Sequence, residues 1–147
     1  SFPRRNTSKR NSEFANYPEI NFQRLFGSDA QKNREKLKCI LNYFKRVLQD
    51  EKLTKKGVIT FQRRSMNENI PTWSEDERKF SPVKYHISST GKIETASGCL
   101  QVDFANRYVG GGVLGNGCVQ EEIRFVLNPE LIVAKLFTES LADGDAC

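Results

Sequence analysis

"CLQVDFANRYVGGGVLGNGCVQEEIRFVL", Cys99 to Leu127, decides the reading of this chain. It opens on an apolar run ending at Val109, which predicts a strand. Gly110, Gly111, Gly112, Gly115 and Gly117 follow, and then Glu121 and Glu122 stand side by side at the start of an apolar, helix-like run. Glycine admits positive φ and close backbone approach. Successive amides in such a loop form an anion-cradling concavity, and the following helix start adds positive potential. The glycines match neither the GxGxxG of dinucleotide sites nor a phosphate loop ending in GK[ST]. A tight connection between two elements is the other reading, and the glycines alone leave both open.

The glutamates sharpen the choice. On a helical start, adjacent side chains diverge by about 100°. They therefore do not straddle one bond as the facing carboxylates of common glycosidases do. They read as two tools in one pocket, one to hold a ribose hydroxyl and one to exchange a proton. The bland alternative is that first-turn acids complement the helix dipole. Asp103 adds a third acid on a mostly apolar strand, where a partly buried carboxylate needs donors or a task. Asp103 and Asn106 lie toward the C-terminal end of that strand, where open α/β sheets place ligands.

Outward from this stretch, residues 1–24 are irregular, with Pro3 and Pro18, and read as an arm. Residues 29–50 are the clearest helix: Ser28 can cap it, and Leu37, Ile40, Leu41, Phe44, Val47 and Leu48 form one apolar stripe. Lys32, Arg34, Lys36, Lys45 and Arg46 are assigned to the opposite face, and Lys55, Lys56 and Gly57 end the segment. Gly57–Arg64 predicts a strand; "VKYHISS" and "KIETA" predict a strand pair joined by a turn. Between them runs a loop whose Trp73 reads as a packing anchor, and His86 on the first strand of the pair reads as structural. Asn128-Pro129 restarts a helix, with Leu131, Ile132, Leu136, Phe137 and Leu141 on its buried side. Helix, strands, glycine loop and helices together predict a mixed α/β domain.

The bulk numbers set limits. The 147 residues suit one ordinary domain. No apolar run approaches the roughly 18 residues of a membrane span. Residues 1–20 are polar and basic without an apolar centre, so no secretory leader is expected. Cys39, Cys99, Cys118 and Cys147 form no CxxC pair and stand beside a single histidine, so no metal is expected. They read as reduced thiols of an intracellular protein. Residues 1–64 carry 16 Lys and Arg against 6 Asp and Glu, and residues 65–147 carry 7 against 12. A basic half beside an acidic half suits a polyanionic ligand approaching an acidic catalytic point, although most single charges are solvated surface.

"LQVDFANRYVGGGVLGNGCVQEEIRF" resembles the signature of the poly(ADP-ribose) glycohydrolase family, a triple-glycine loop followed by QEE. "FPRRN", "YPEINFQRLF", "VITFQRRS" and "NPELIVAKLFTE" also resemble animal-type members, so the likeness covers essentially the whole chain. The resemblance implies a macrodomain-like α/β fold, a mixed sheet with a helical accessory region. It divides the chain into a basic arm and accessory helix at 1–56 and a partial catalytic segment at 57–147. It implies hydrolysis of the ribose–ribose links of poly(ADP-ribose), releasing ADP-ribose without metal or cofactor. Glu122 would match the general acid/base, Glu121 the carboxylate on the ribose hydroxyls, and Asp103 and Asn106 the supporting polar residues. Gly110, Gly111 and Gly112 would match the diphosphate-binding turn, and Gln120 the first residue of the acidic triplet. Ile93 and Glu94 would contact adenine, with a spacing one residue shorter than in vertebrate members.

The implied partners are poly(ADP-ribose) and ADP-ribosylated proteins, met by a monomer in nucleus and cytoplasm. The family continues past the position of Cys147 with further strands and an aromatic lid, so the expectation is an incomplete chain whose activity alone is in question. A non-catalytic ADP-ribose-binding macrodomain and an inactive truncated form stay open beside the enzyme.

Overall fold

Helix α2 (Gln31–Gln49) is the longest element of the computed structural model, which describes residues 13–27, 30–50, 52, 57–66 and 72–147. Its stripe is buried only in part: Ile40 enters the core and Leu37 packs against it, whereas Leu41, Phe44 and Leu48 stay exposed. The buried face instead runs through Asn33, Lys36 and Ile40, at spacings of three and four. Lys36, assigned above to the solvent side, is 4 % exposed. Ala30 takes the N-cap position; Ser28, Lys55, Lys56 and the FPRRN cluster lie outside the described residues. A short helix α1 (Gln23–Phe26) precedes α2 and buries Leu25 against it.

Helix α3 (Gln120–Leu127) forms where the sequence predicts it and buries Phe125 and Val126. Asn128 ends it, and Pro129 starts a 3-10 helix over Pro129–Leu136. Three residues per turn rather than 3.6 change the buried face. Pro129, Ile132, Lys135 and Thr138 point inward at a period of three, while Leu136 and Phe137, expected inside, are about half exposed. The core joins these helices to the glycine loop itself, which contributes Val109, Val113 and Leu114.

The chain is α/β in class, with a small sheet. Among the described residues the ladder joins β1 (Arg64–Ser65) to β2 (Asp145–Ala146), antiparallel, with Arg64 opposite Ala146. Arg63 braces this contact by donating to Ser140 O at 3.2 Å and pairing with Asp145. The predicted strand Gly57–Arg64 thus contributes only its last residue to a ladder, and the predicted pair over 83–96 is irregular, with a 3-10 turn at Ile93–Thr95. Residues 99–107 carry no ladder either, and Leu100, Val102 and Phe104 are exposed. Local composition favours extension, but a strand exists only where a neighbouring backbone meets its amides and carbonyls. Trp73, expected to anchor packing, is 73 % exposed, and His86 is exposed. No helix among the described residues is long and apolar enough to cross a membrane.

Candidate functional site

The glycine loop begins with two residues in the left-handed region, Gly110 at φ 80° and Gly111 at φ 43°. A side chain on Gly110 would strike the Phe125 ring at 2.9 Å. On Gly111 a Cβ would overlap Glu122 Oε1 and lie 2.9 Å from Glu121 Oε2. Both carboxylates therefore converge on one glycine, although their side chains leave the helix in different directions. A Cβ on Gly117 would also fall 2.7 Å from Glu122 Oε1, so bare backbone faces this carboxylate from two turns of the loop.

Each glutamate is buried and each accepts two main-chain amides. Glu121 takes Gly110 N at 2.7 Å through Oε1 and Asn106 N at 2.9 Å through Oε2. Glu122 takes Gly112 N and Val119 N, both at 2.9 Å. The Val119 bond is the acidic half of a capping box; valine has no oxygen to return the other half. The Gly111 amide meets Tyr108 O at 2.9 Å. In this state the loop amides hold the protein's own carboxylates and turn carbonyls.

The two acids differ in proton affinity. Burial pushes Glu121 up, the Asn106 and Gly110 amides pull it back, and the nearby Asp103 and Glu122 carboxylates leave it above the ordinary glutamate value. Burial also pushes Glu122 up, but the Val119 and Gly112 amides and the Lys36 ammonium outweigh it and hold it below that value. Asp103 is raised, by burial first and then by Glu122, and its buried Oδ1 has no hydrogen-bond partner. Gln120 fixes the backbone on both sides of Asp103: its Oε1 accepts Phe104 N at 2.9 Å and its Nε2 donates to Val102 O at 3.3 Å.

A cleft of about 510 Å³ opens beside the loop, between Tyr17 and Arg24 on one wall and Asn106, Gly111, Gly112 and Asn116 on the other. The glutamates are not part of its lining and sit behind the glycine turn. Ile93 and Glu94 lie in their own 3-10 turn, whose main-chain bonds are local. Among the described residues no group of three or more His, Cys, Asp or Glu could hold a metal.

Two site residues were not legible as such. Lys36 Nζ donates to Gly115 O at 2.8 Å and Val113 O at 3.2 Å, and also bonds Gly117 O. Lys135 Nζ donates to Val109 O and Gly111 O, both at 3.0 Å. Spacing of three from Asn33 and four from Ile40 was the available signal for Lys36; Lys135 had none while the segment was read as an α-helix.

Residues 70–147 match the family model described as poly(ADP-ribose) glycohydrolase, macro domain fold. Residues 1–63 match the one described as poly(ADP-ribose) glycohydrolase, helical domain. The chain is 40 % identical over 135 residues to poly(ADP-ribose) glycohydrolase 1 of Arabidopsis thaliana, covering 88 % of this chain and 24 % of that protein. It is 34 % identical over 129 residues to poly(ADP-ribose) glycohydrolase 1 of Caenorhabditis elegans, covering 86 % of this chain and 16 % of that protein. Against poly(ADP-ribose) glycohydrolase 2 of the same worm it is 32 % identical over 135 residues, 90 % of this chain and 27 % of that protein. The chain thus spans about a quarter or less of the length of these relatives.

Proposed function

The chain belongs to the poly(ADP-ribose) glycohydrolase family, and from that premise we propose that it carries the acid/base and diphosphate-binding segment of an enzyme that hydrolyses ribose–ribose bonds in poly(ADP-ribose). The observation that carries this reading is the convergence of Glu121 and Glu122 on Gly111. A diphosphate lying on the Gly111–Gly112 turn would bring its ribose to both carboxyls. Glu121 would accept the ribose hydroxyls, and Glu122 would exchange the proton.

Glu122 rests ionised, so it must gain a proton before acting as an acid. A bound diphosphate supplies the means: it competes for the Gly112 amide and adds negative charge nearby. Both effects favour the protonated carboxyl. Glu122 then gives its proton to the leaving ribose oxygen as the glycosidic C–O bond breaks, leaving an oxocarbenium-like centre. A water attacks that carbon and returns its proton to Glu122, which closes the cycle. Asp103, held between the two bonds of Gln120, would keep the local field negative and so favour both the proton and the cationic centre.

A second reading has its own observation. Glu122 is pinned by two amides in the resting loop, as a brace would be in a non-catalytic ADP-ribose reader. Glu122→Gln in the intact natural protein separates the two. The enzyme reading expects ADP-ribose binding within a few-fold of wild type and polymer cleavage down by about 10²–10⁴. Unchanged cleavage rejects Glu122 as the acid; loss of binding together with cleavage favours the brace.

A further inference from the structure

Lys135 is 2 % exposed, yet its ammonium ends against main chain, at Val109 O and Gly111 O. Those two carbonyls belong to the peptide planes 109–110 and 111–112. In a trans peptide the C=O and N–H of one plane point in opposite directions. The N–H groups of these same two planes are Gly110 N, which donates to Glu121, and Gly112 N, which donates to Glu122. One ammonium thus holds the back of both peptide units whose fronts hold the two carboxylates. The intervening plane, 110–111, turns the other way: Gly110 O accepts Val113 N at 3.0 Å. The positive φ of Gly110 and Gly111 permits this alternation.

Lys36 acts on the rest of the loop from α2. Its ammonium collects the carbonyls of Val113, Gly115 and Gly117, with Gly112 O at the limit of reach. It comes from the residues that match the helical family model, whereas the loop belongs to those that match the macro domain.

We infer that Lys135 and Lys36 are positioning residues for the glutamate site: Lys135 draws two loop carbonyls inward so that the Gly110 and Gly112 amides face Glu121 and Glu122, and Lys36 holds the carbonyls of the turn that follows, up to Gly117 beside Glu122. The role rests on the function proposed above: holding both acids matters for turnover only if they perform it. It differs from a general stabilising role in what it connects. A cation that merely fills a polar hole would not govern the direction of two particular amides 24 or so residues away in sequence.

Burial holds Lys135 well below the ordinary lysine value, at about 8, against the opposing pull of Glu121, Glu122 and Glu19. The groups facing it are thus two glutamates on α3 and one on the arm; Lys36 approaches the loop from the α2 side. This gives a test in the unmodified protein. With 15N-glycine labelling of the intact natural protein, the Gly110 and Gly112 amide resonances should titrate together, with the midpoint at which Lys135 loses its proton. The Gly98 amide, outside the site, should not follow. If the Gly110 and Gly112 resonances stay still while Lys135 titrates, the inference is overturned.

Turnover gives the second test. Lys135→Met and Lys36→Met should each lower kcat for polymer cleavage tenfold or more while changing KM less than threefold. Each should also move the high-pH limb of the kcat profile, where Glu122 loses the proton it must donate, to higher pH, because ammonium charge near Glu122 has been removed. Wild-type kcat and an unmoved limb in both variants would overturn the assignment. The two failures remain distinct: a wild-type protein that never cleaves polymer refutes the proposed function and leaves the amide titration standing.

Discussion

Gly111→Ala tests the site most directly, because one methyl group is placed where both carboxylates converge. Gly111 has φ 43°, which costs an L-residue about 1–2 kcal/mol by itself. The added Cβ would overlap Glu122 Oε1 and lie 2.9 Å from Glu121 Oε2, so both side chains must move. Neither can move freely. Glu122 must loosen its bond to Gly112 N or Val119 N, and Glu121 its bond to Gly110 N or Asn106 N. A hydrogen bond to a charged group is worth about 1.5–3 kcal/mol, and partial relaxation should return some of that loss. Together these give a destabilisation of about 3–5 kcal/mol. Displacing the acid by about 1 Å should cut turnover about a hundredfold even in the molecules that remain folded.

Gly115→Ala is the matched control in the same loop. Its Cβ would meet only Gly112 O at 3.8 Å and Arg24 Cδ at 4.0 Å, which is ordinary contact. The assay is denaturant unfolding together with single-turnover polymer cleavage, both in the intact natural protein. The alanine at 115 should change stability by less than about 1 kcal/mol, as usual for a substitution without a clash. If Gly111→Ala matches Gly115→Ala in both measurements, the convergence of Glu121 and Glu122 on this glycine is wrong.

Two other substitutions test the support of the acids. The folded state raises the Asp103 carboxyl above its unfolded value, through burial and then Glu122, so its contribution is fullest at low pH and is lost as pH rises through the folded value. Asp103→Asn, nearly the same shape, should therefore flatten the fall in melting temperature on going from acid to neutral pH; a curve parallel to wild type would remove Asp103 from the buried cluster. Gln120→Ala deletes the bonds to Phe104 N and Val102 O, on partly solvated backbone. It should lower cleavage about tenfold by loosening the Asp103 segment, with about 1 kcal/mol or less lost in stability. Equal losses in Asp103→Asn and in the double variant would fit one shared pathway, and fully additive losses would contradict it.

The glycine loop and QEE were legible because their meaning is local. A left-handed turn needs glycine, and a glutamate two residues into a helix can reach back to the cap; Glu122 does so at Val119 N. What the residue types could not show was where loop amides go once folded. Gly110 and Gly112 give theirs to the protein's own acids, not to open solvent. Extended segments were legible as composition but not as sheet, since pairing is decided by distant backbone; Arg64 and Ser65 find theirs some eighty residues on. Lys36 was read as surface because lysine usually is, and only a cage of carbonyls, such as those around Lys36 and Lys135, reverses that preference.

Equal burial does not explain why the two glutamates differ. Glu121 and Glu122 are 3 % and 6 % exposed, but Asn106 and Gly110 lower Glu121, whereas Glu122 draws on its own amide as well as those of Val119 and Gly112. The difference lies first in those amides and only then in the neighbouring charges. Glu121 has Asp103 and Glu122 as neighbours and is raised; Glu122 has the Lys36 ammonium and is lowered. Neighbouring acids whose environments push them apart can divide a reaction between them. The Lys36 ammonium on α2 adds to that separation. On the function proposed above, Glu122 would take up its acid role when an anion on the glycine turn competes for the Gly112 amide. On that reading, substrate binding and protonation of the acid would be one event, coupled through a single N–H.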